Sequence, residues 1–270
     1  MTELPLAVNC SILFPEIPLL ERPAAASAAG FDAVEFWWPF PDGRPPDPDV
    51  DRFIDAVEAA GVSLIGLNFA AGDMPAGDRG LLSWPGRESE FRDSVEVAIG
   101  IAQRLGTKSF NALYGNRIEG ADDDQQDDLA TENLVWAAKQ ADTIGATVLL
   151  EAVSGAPRYP LLKGADVVRR INRVTSAGAA NVRMLADLYH LGVNDDDVAA
   201  VIGEHGSLIG HVQVADAPGR HRPGTGQLPL AEQLALIAGC GYRGYVALEY
   251  VPTGPTASDL AELDLHVVID

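Results

Sequence analysis

Glycine punctuation constrains this chain more than any other feature. Seven helix-like stretches each end in a glycine that is closely followed by a short apolar, β-branched run. The glycines are Gly30, Gly61, Gly106, Gly145, Gly178, Gly206 and Gly241. A helix C-terminus favours glycine because the residue beyond the cap commonly turns left-handed, which costs other residues steric energy. Each glycine therefore predicts a return from helix to strand. The runs behind them read as strands: Ala33 to Trp37, Ser63 to Asn68, Lys108 to Leu113, Thr147 to Glu151, Val182 to Asp187, Ile209 to Val214 and Tyr245 to Glu249. Leu6 to Ile12, ahead of the first glycine, makes an eighth.

The intervening segments are amphipathic at helical spacing. The clearest places Phe91, Val95, Ala98, Ile99, Ala102 and Leu105 on one face, and Leu134, Ala137, Ala138, Ala141 and Ile144 repeat the pattern. Strands alternating with helices argue for parallel βαβ units, and eight units in 270 residues match the α/β (β/α)8, or TIM, barrel. A single domain over residues 1–270 is expected. An open doubly wound sheet would also alternate, but with fewer strands and often a phosphate loop. Neither a dinucleotide fingerprint at a strand-to-helix turn nor a P-loop is present. The acidic stretches Ala121 to Asp128 and Asn194 to Asp197 read as helix N-caps and first turns rather than metal loops.

Composition narrows the partners. With 39 acidic against 19 basic residues the formal charge is -20, which repels phosphate backbones and anionic lipid, so no nucleic acid or membrane partner is expected. The start, Met1-Thr2-Glu3-Leu4-Pro5, lacks the basic region of a signal peptide, and no apolar run approaches the ~18 residues that span a bilayer. A cytoplasmic protein is expected. Cys10 and Cys240 lie far apart in sequence, have no metal-type spacing, and read as buried free thiols. The sequence leaves a homo-oligomer open.

Active sites of such barrels lie at the C-terminal ends of the strands. The last four strands end in oxygen donors: Glu151, Asp187, Gln213 and Glu249. Carboxylates on apolar strands are costly unless a cation or hydrogen bonds compensate them, so three converging on one rim point to a positive charge between them. An all-oxygen set favours a hard divalent metal, Mg²⁺ or Mn²⁺, over Zn²⁺. His190 follows Asp187 by three residues, on the loop above the site, either as a ligand contact or as a loop histidine with a backbone partner. Arg220-His221-Arg222 form a basic cluster in an acidic chain, which suits an anionic group on a substrate. Trp37, with Phe14, Trp38 and Trp84, falls near rim loops. Asn68, Asn111 and Glu35 come late in strands. Asn68 and Trp37 are carried with His190, Arg220 and His221 as candidate substrate contacts.

At these residues the chain resembles the hydroxypyruvate isomerase family of the xylose isomerase-like TIM barrels. The resemblance is carried by Asn9-Cys10-Ser11, Val34-Glu35-Phe36, Ala71-Gly72-Asp73, Arg79-Gly80, Pro85-Gly86-Arg87-Glu88 and Glu90-Phe91-Arg92-Asp93. It continues in Asp187-Leu188-Tyr189-His190, Gly210-His211-Val212-Gln213-Val214-Ala215-Asp216, Pro223-Gly224-Thr225-Gly226 and Gly244-Tyr245-Val246-Ala247-Leu248-Glu249-Tyr250. It implies a metal held by Glu151, Asp187, Gln213 and Glu249, with the two glutamates also moving the proton. Gln213 discriminates, since related epimerases and endonucleases typically carry histidine there. The implied activity is aldose-ketose isomerisation of a small anionic hydroxy-oxo acid, hydroxypyruvate to tartronate semialdehyde. A 2-oxo-tetronate isomerase, a ketose 3-epimerase, a metal-dependent endonuclease and a non-catalytic sugar-binding barrel are the alternatives. The chain departs from the family after Glu151, where Ala152-Val153-Ser154 replaces the usual proline and asparagine, and from Thr256 to Asp270.

Overall fold

The computed structural model describes residues 4–263. The leading Met1-Thr2-Glu3, read above for a leader, and residues 264–270 of the divergent C-terminal stretch lie outside them. Eight parallel strands close into a barrel in sequence order. They are β1 (Leu6–Asn9), β2 (Ala33–Phe36), β3 (Ser63–Asn68), β4 (Ser109–Asn111), β5 (Thr147–Glu151), β6 (Val182–Asp187), β7 (Ile209–Val214) and β8 (Val246–Leu248). Helices α1 (Arg22–Ala28), α2 (Asp47–Ala60), α3 (Glu88–Leu105), α4 (Asp123–Asp142) and α5 (Gly164–Ser176) follow the first five strands in turn. After β6 come α6 (Leu188–Val193) and α7 (Val198–His205), then α8 (Leu230–Gly239) after β7 and α9 (Thr256–Ala261) after β8. This is the TIM-barrel fold that the alternation of strands and helices predicts.

Helix faces pack where their periodicity directs them. Phe91, Val95, Ala98, Ile99 and Ala102 of α3, and Leu134, Ala137, Ala138 and Ala141 of α4, are buried against the strands. The acidic stretches act as caps: Asp122 accepts from the Gln125 amide at 2.9 Å and Asp197 from the Ala200 amide at 3.0 Å. Among the described residues no helix is long and apolar enough to cross a membrane.

Period-two alternation decides what lines the barrel. Ala7, Ala33 and Ala247 form a small apolar layer with Ile65 and Tyr245. Two residues further along their strands stand Asn9, Glu35 and Glu249, so each of these polar groups follows a small one on the same inward face. Val8, Val34, Val212 and Val246, one residue off, belong to the main apolar core. A polar floor thus lies beneath the C-terminal mouth, raised on a short apolar base.

Two expectations need correction. Gly206 is right-handed, with φ of -53°, while the other six predicted returns have positive φ. The chain runs on there into a short 3-10 turn, Gly206–Leu208, and glycine is kept for space instead, since a Cβ would stand 2.7 Å from the Cys240 Cβ. Cys240 itself is exposed, because it ends α8 on the outer surface, whereas Cys10 is buried as expected.

Candidate active site

Strand register brings the four expected oxygen donors to one rim. Asp187 pairs directly with Gln213 across β6 and β7, and Glu151 lies on the neighbouring β5. Glu249 follows β8, and its amide still donates to the Val214 carbonyl at 3.0 Å, so it extends the ladder by one residue. All four are at most 6% exposed.

Their polar partners are specific. Glu151 Oε1 accepts from Asn111 Nδ2 at 2.6 Å. Glu249 Oε1 accepts from Trp37 Nε1 at 2.6 Å and from Asn9 Nδ2 at 3.3 Å. Asp187 caps α6, its Oδ1 accepting from the Tyr189 and His190 amides. Its Oδ2 and Glu249 Oε2 both meet Arg220 Nη2, at 3.2 and 2.9 Å. Glu35 faces inward and accepts from Asn9 Nδ2 at 2.9 Å and from Gln213 Nε2 at 2.6 Å, and its Oε2 meets His211 Nε2 at 2.6 Å. Burial alone would raise the Glu35 pKa, but His211, Gln213 and Asn9 together hold it below the ordinary carboxylate value.

The rim lacks the positive charge that its carboxyls would need to ionise together. Burial, reinforced by Asp187, pushes the Glu151 carboxyl up to about 8, against the Asn111 hydrogen bond and Arg220. Burial also raises Glu249 well above the usual range although Arg220 opposes it, with Asp187, Glu35 and Glu151 adding to the rise. One guanidinium does not balance three buried carboxyls.

A further positive charge would fit. One donor atom from each of Glu151, Asp187 and His190 lies within 4.8 Å of the others. Gln213, whose Nε2 is committed to Glu35, has a buried Oε1 with no partner. An orphaned carbonyl oxygen beside carboxyls that resist ionising is the donor set of a hard divalent ion. The residues present therefore fit such a metal.

A cavity of about 150 Å³ opens on this rim, lined among others by Trp37, Asn68, Glu151, His190, Arg220 and Glu249. It shares Trp37, Asn68 and Met74 with an adjoining outer cleft of about 930 Å³. His190 is buried in α6 rather than on a loop. Its Nδ1 accepts from the Ser154 amide at 3.0 Å, which leaves the proton of the neutral ring on Nε2, 3.5 Å from Asp187 Oδ2. Burial pulls its pKa down to about 4, against the attraction of Asp187 and with Arg220 and Arg79 adding to the fall.

The basic cluster divides. Arg220 enters the site, but its charge is engaged by two carboxylates. His221 does not line the cavity: an antiparallel bridge between Asp216 and His221 reverses the chain, and the ring turns to the Val251 carbonyl at 3.0 Å. Arg222 pairs with Asp259 and Glu262. Of the other rim aromatics, Phe14 is buried in the core, while Trp38 packs edge-on against Phe40 in the outer cleft. Sequence reasoning missed Arg79, Met74, Leu113, Val153 and Ser154 as cavity residues. Ser154 sits in the stretch that departs from the family pattern, and its contact with His190 was not visible there.

Fold and site together define a (β/α)8 enzyme with an acidic, carboxylate-rich mouth. Residues 23–265 match the family described as xylose isomerase-like TIM barrel, and the chain belongs to that family. It is 53% identical over 250 residues to a Streptomyces coelicolor protein named provisionally as a hydroxypyruvate isomerase, covering 91% of this chain and 90% of the relative. It is 32% identical over 260 residues to the hydroxypyruvate isomerase of Escherichia coli, covering 96% and 97%. A solved Brucella melitensis structure titled AP endonuclease, family 2, superposes with a TM-score of 0.86 at 34% identity, covering 96% and 97% of the two chains. By its curated kinship the chain is an isomerase.

Proposed function

We propose that the protein interconverts hydroxypyruvate and tartronate semialdehyde, using Glu151 and Glu249 for proton transfer and a divalent metal, Mg²⁺ or Mn²⁺, held by Glu151, Asp187, Gln213 and Glu249. The observation that carries this reading is that two buried glutamates, Glu151 and Glu249, line one small cavity at the strand ends, beside a Gln213 Oε1 that has no partner. Burial raises both carboxyls, Glu151 to about 8, and a carboxyl held above the ordinary range is suited to accept and return a proton.

The reaction moves one proton from C3 of hydroxypyruvate to C2, while the hydroxyl proton passes from O3 to O2. One glutamate takes the C3 proton, and the enediolate that results is protonated at C2 by the other. A divalent ion held by these residues would supply Lewis-acid stabilisation of the negative charge that develops on the substrate's oxygens. Asn111 holds Oε1 of Glu151 and leaves its Oε2 for the proton or the cation, whereas Glu249 has Oε1 on Trp37 and Oε2 on Arg220, so Arg220 must share that oxygen with the proton it takes or gives. Arg220 holds Asp187 and Glu249 together on the rim, and Trp37 and Asn68 wall the substrate space.

The outer cleft, which shares Trp37, Asn68 and Met74 with the cavity, favours one second reading: a longer acid such as 2-oxo-tetronate, its tail lying along Trp38 and Phe40. Nucleic acid is not a substrate in this account, since a chain of formal charge -20 repels phosphate. The test is Glu249→Gln, expected to abolish turnover with an unchanged melting temperature; near-full activity would remove Glu249 from proton transfer.

A further inference from the structure

An acid entering this cavity meets three buried carboxyls, and Arg220 already engages two of them. The cavity has a second arginine, Arg79, on the opposite loop. Among the described residues no carboxylate lies within ion-pairing distance of it. Its Nη1 donates only to neutral carbonyls, those of Met74 at 3.0 Å and Asp78 at 2.7 Å. The neighbouring Asp78 carboxylate turns away, to Arg87 and the Asp73 amide. In a chain with twice as many acids as bases, a cavity arginine without a counter-ion is a cation kept for something else.

Its backbone is clamped. The Arg79 carbonyl accepts from the Gly115 amide at 2.9 Å, which ties the loop to the segment that follows β4, and the Gly80 amide donates to the Ala71 carbonyl at 2.9 Å within the loop itself. Gly80 takes φ of +112°, and a Cβ there would stand 2.0 Å from the Leu113 carbonyl oxygen, so no other residue allows this approach. With Nη1 held by two carbonyls, the guanidinium is oriented in advance, and among the described residues its remaining N–H groups meet no protein acceptor. A guanidinium offers a planar fork that matches a carboxylate.

We propose that Arg79 is the specificity determinant of this site, binding the carboxylate of the substrate while Arg220 serves the enzyme's own carboxylates. This rests on the hydroxy-oxo acid reading and assigns its recognition residue. Arg79 fixes the acid end, so that C2 and C3 lie towards Glu151 and Glu249. A neutral triose gains nothing from it.

The test pairs binding with turnover. Binding of D-glycerate, an acid with no carbonyl to isomerise, and of glycerol is measured by calorimetry on Mn²⁺-loaded wild type, Arg79→Ala and Arg79→Lys. Wild type is expected to bind glycerate, Arg79→Ala at least 30-fold more weakly, and Arg79→Lys, which can still hold the two carbonyls, in between. Glycerol should bind all three equally weakly. With hydroxypyruvate, Arg79→Ala should raise KM at least 30-fold and change kcat less than threefold. Glycerate binding that is absent from wild type, or that survives Arg79→Ala, overturns the proposal, as does an unchanged KM. If wild type turns over no hydroxypyruvate while glycerate binding still depends on Arg79, the substrate reading fails and the carboxylate subsite stands.

Discussion

Gln213 donates its Nε2 to Glu35 Oε1 at 2.6 Å, and this one hydrogen bond fixes which end of the amide is spent and which is left free. The free end is the buried Oε1, which has no partner. Glu35 is itself held by His211 and Asn9. An ionised acid beneath the rim therefore sets the orientation of a neutral donor upon it.

Glu35→Ala should release that orientation. It leaves Gln213, His211 and Asn9 without their shared acceptor, at a cost of about 2–4 kcal/mol for the buried donors. Mn²⁺ affinity, followed by calorimetry, should fall at least tenfold, and the melting temperature should drop. Unchanged metal affinity in a destabilised variant would show that Glu35 supports the fold alone.

Protonation of Glu151 makes stability depend on pH with a definite sign. Its pKa is about 8 in the folded protein against an ordinary 4.5, so between those values the folded chain holds a proton that the unfolded chain has released. The stability this group contributes is complete below 4.5 and lost as pH rises through 8. In metal-stripped protein Glu151→Gln should flatten the decline in melting temperature across that window, and Mn²⁺ added at pH 7 should release protons into a weak buffer. His190, about 4 when folded against 6.5, acts at the other end: its contribution is lost as pH falls from 6.5 towards 4.

Gly80→Ala should be among the costliest single-methyl additions. The φ of +112° and the Leu113 carbonyl at 2.0 Å from the new Cβ oppose it together, at about 3 kcal/mol or more. Gly61→Ala, with positive φ but nothing within 4 Å, should cost less. Urea denaturation of both variants checks the order, and equal losses would remove the loop clamp from the account of Arg79.

Strand positions were legible because an inward-facing barrel residue and an outward-facing one differ in kind. β3, β5, β6 and β7 have the boundaries that the apolar runs predict, and each run's last donor is on the rim. β1 stops at Asn9 rather than Ile12, since the chain turns at Cys10 where the apolar pattern continues. Loop side chains were not legible. Arg220 and His221 are adjacent in sequence yet point to opposite sides, because Arg220 takes φ of +57° in a reversal that no local pattern announces. Arg79 is placed by backbone contacts to the segment that follows β4, a relationship between distant segments. The direction of Glu35 likewise depended on Asn9, His211 and Gln213 converging from other strands.

The most direct measurement follows hydroxypyruvate by proton NMR in D₂O with metal-stripped protein, with protein restored by Mg²⁺ or Mn²⁺, and without protein. Tartronate semialdehyde should form only with the restored protein, with solvent deuterium entering at C2. No conversion above the protein-free control, with metal bound at the rim, would contradict the assignment of this substrate to this site.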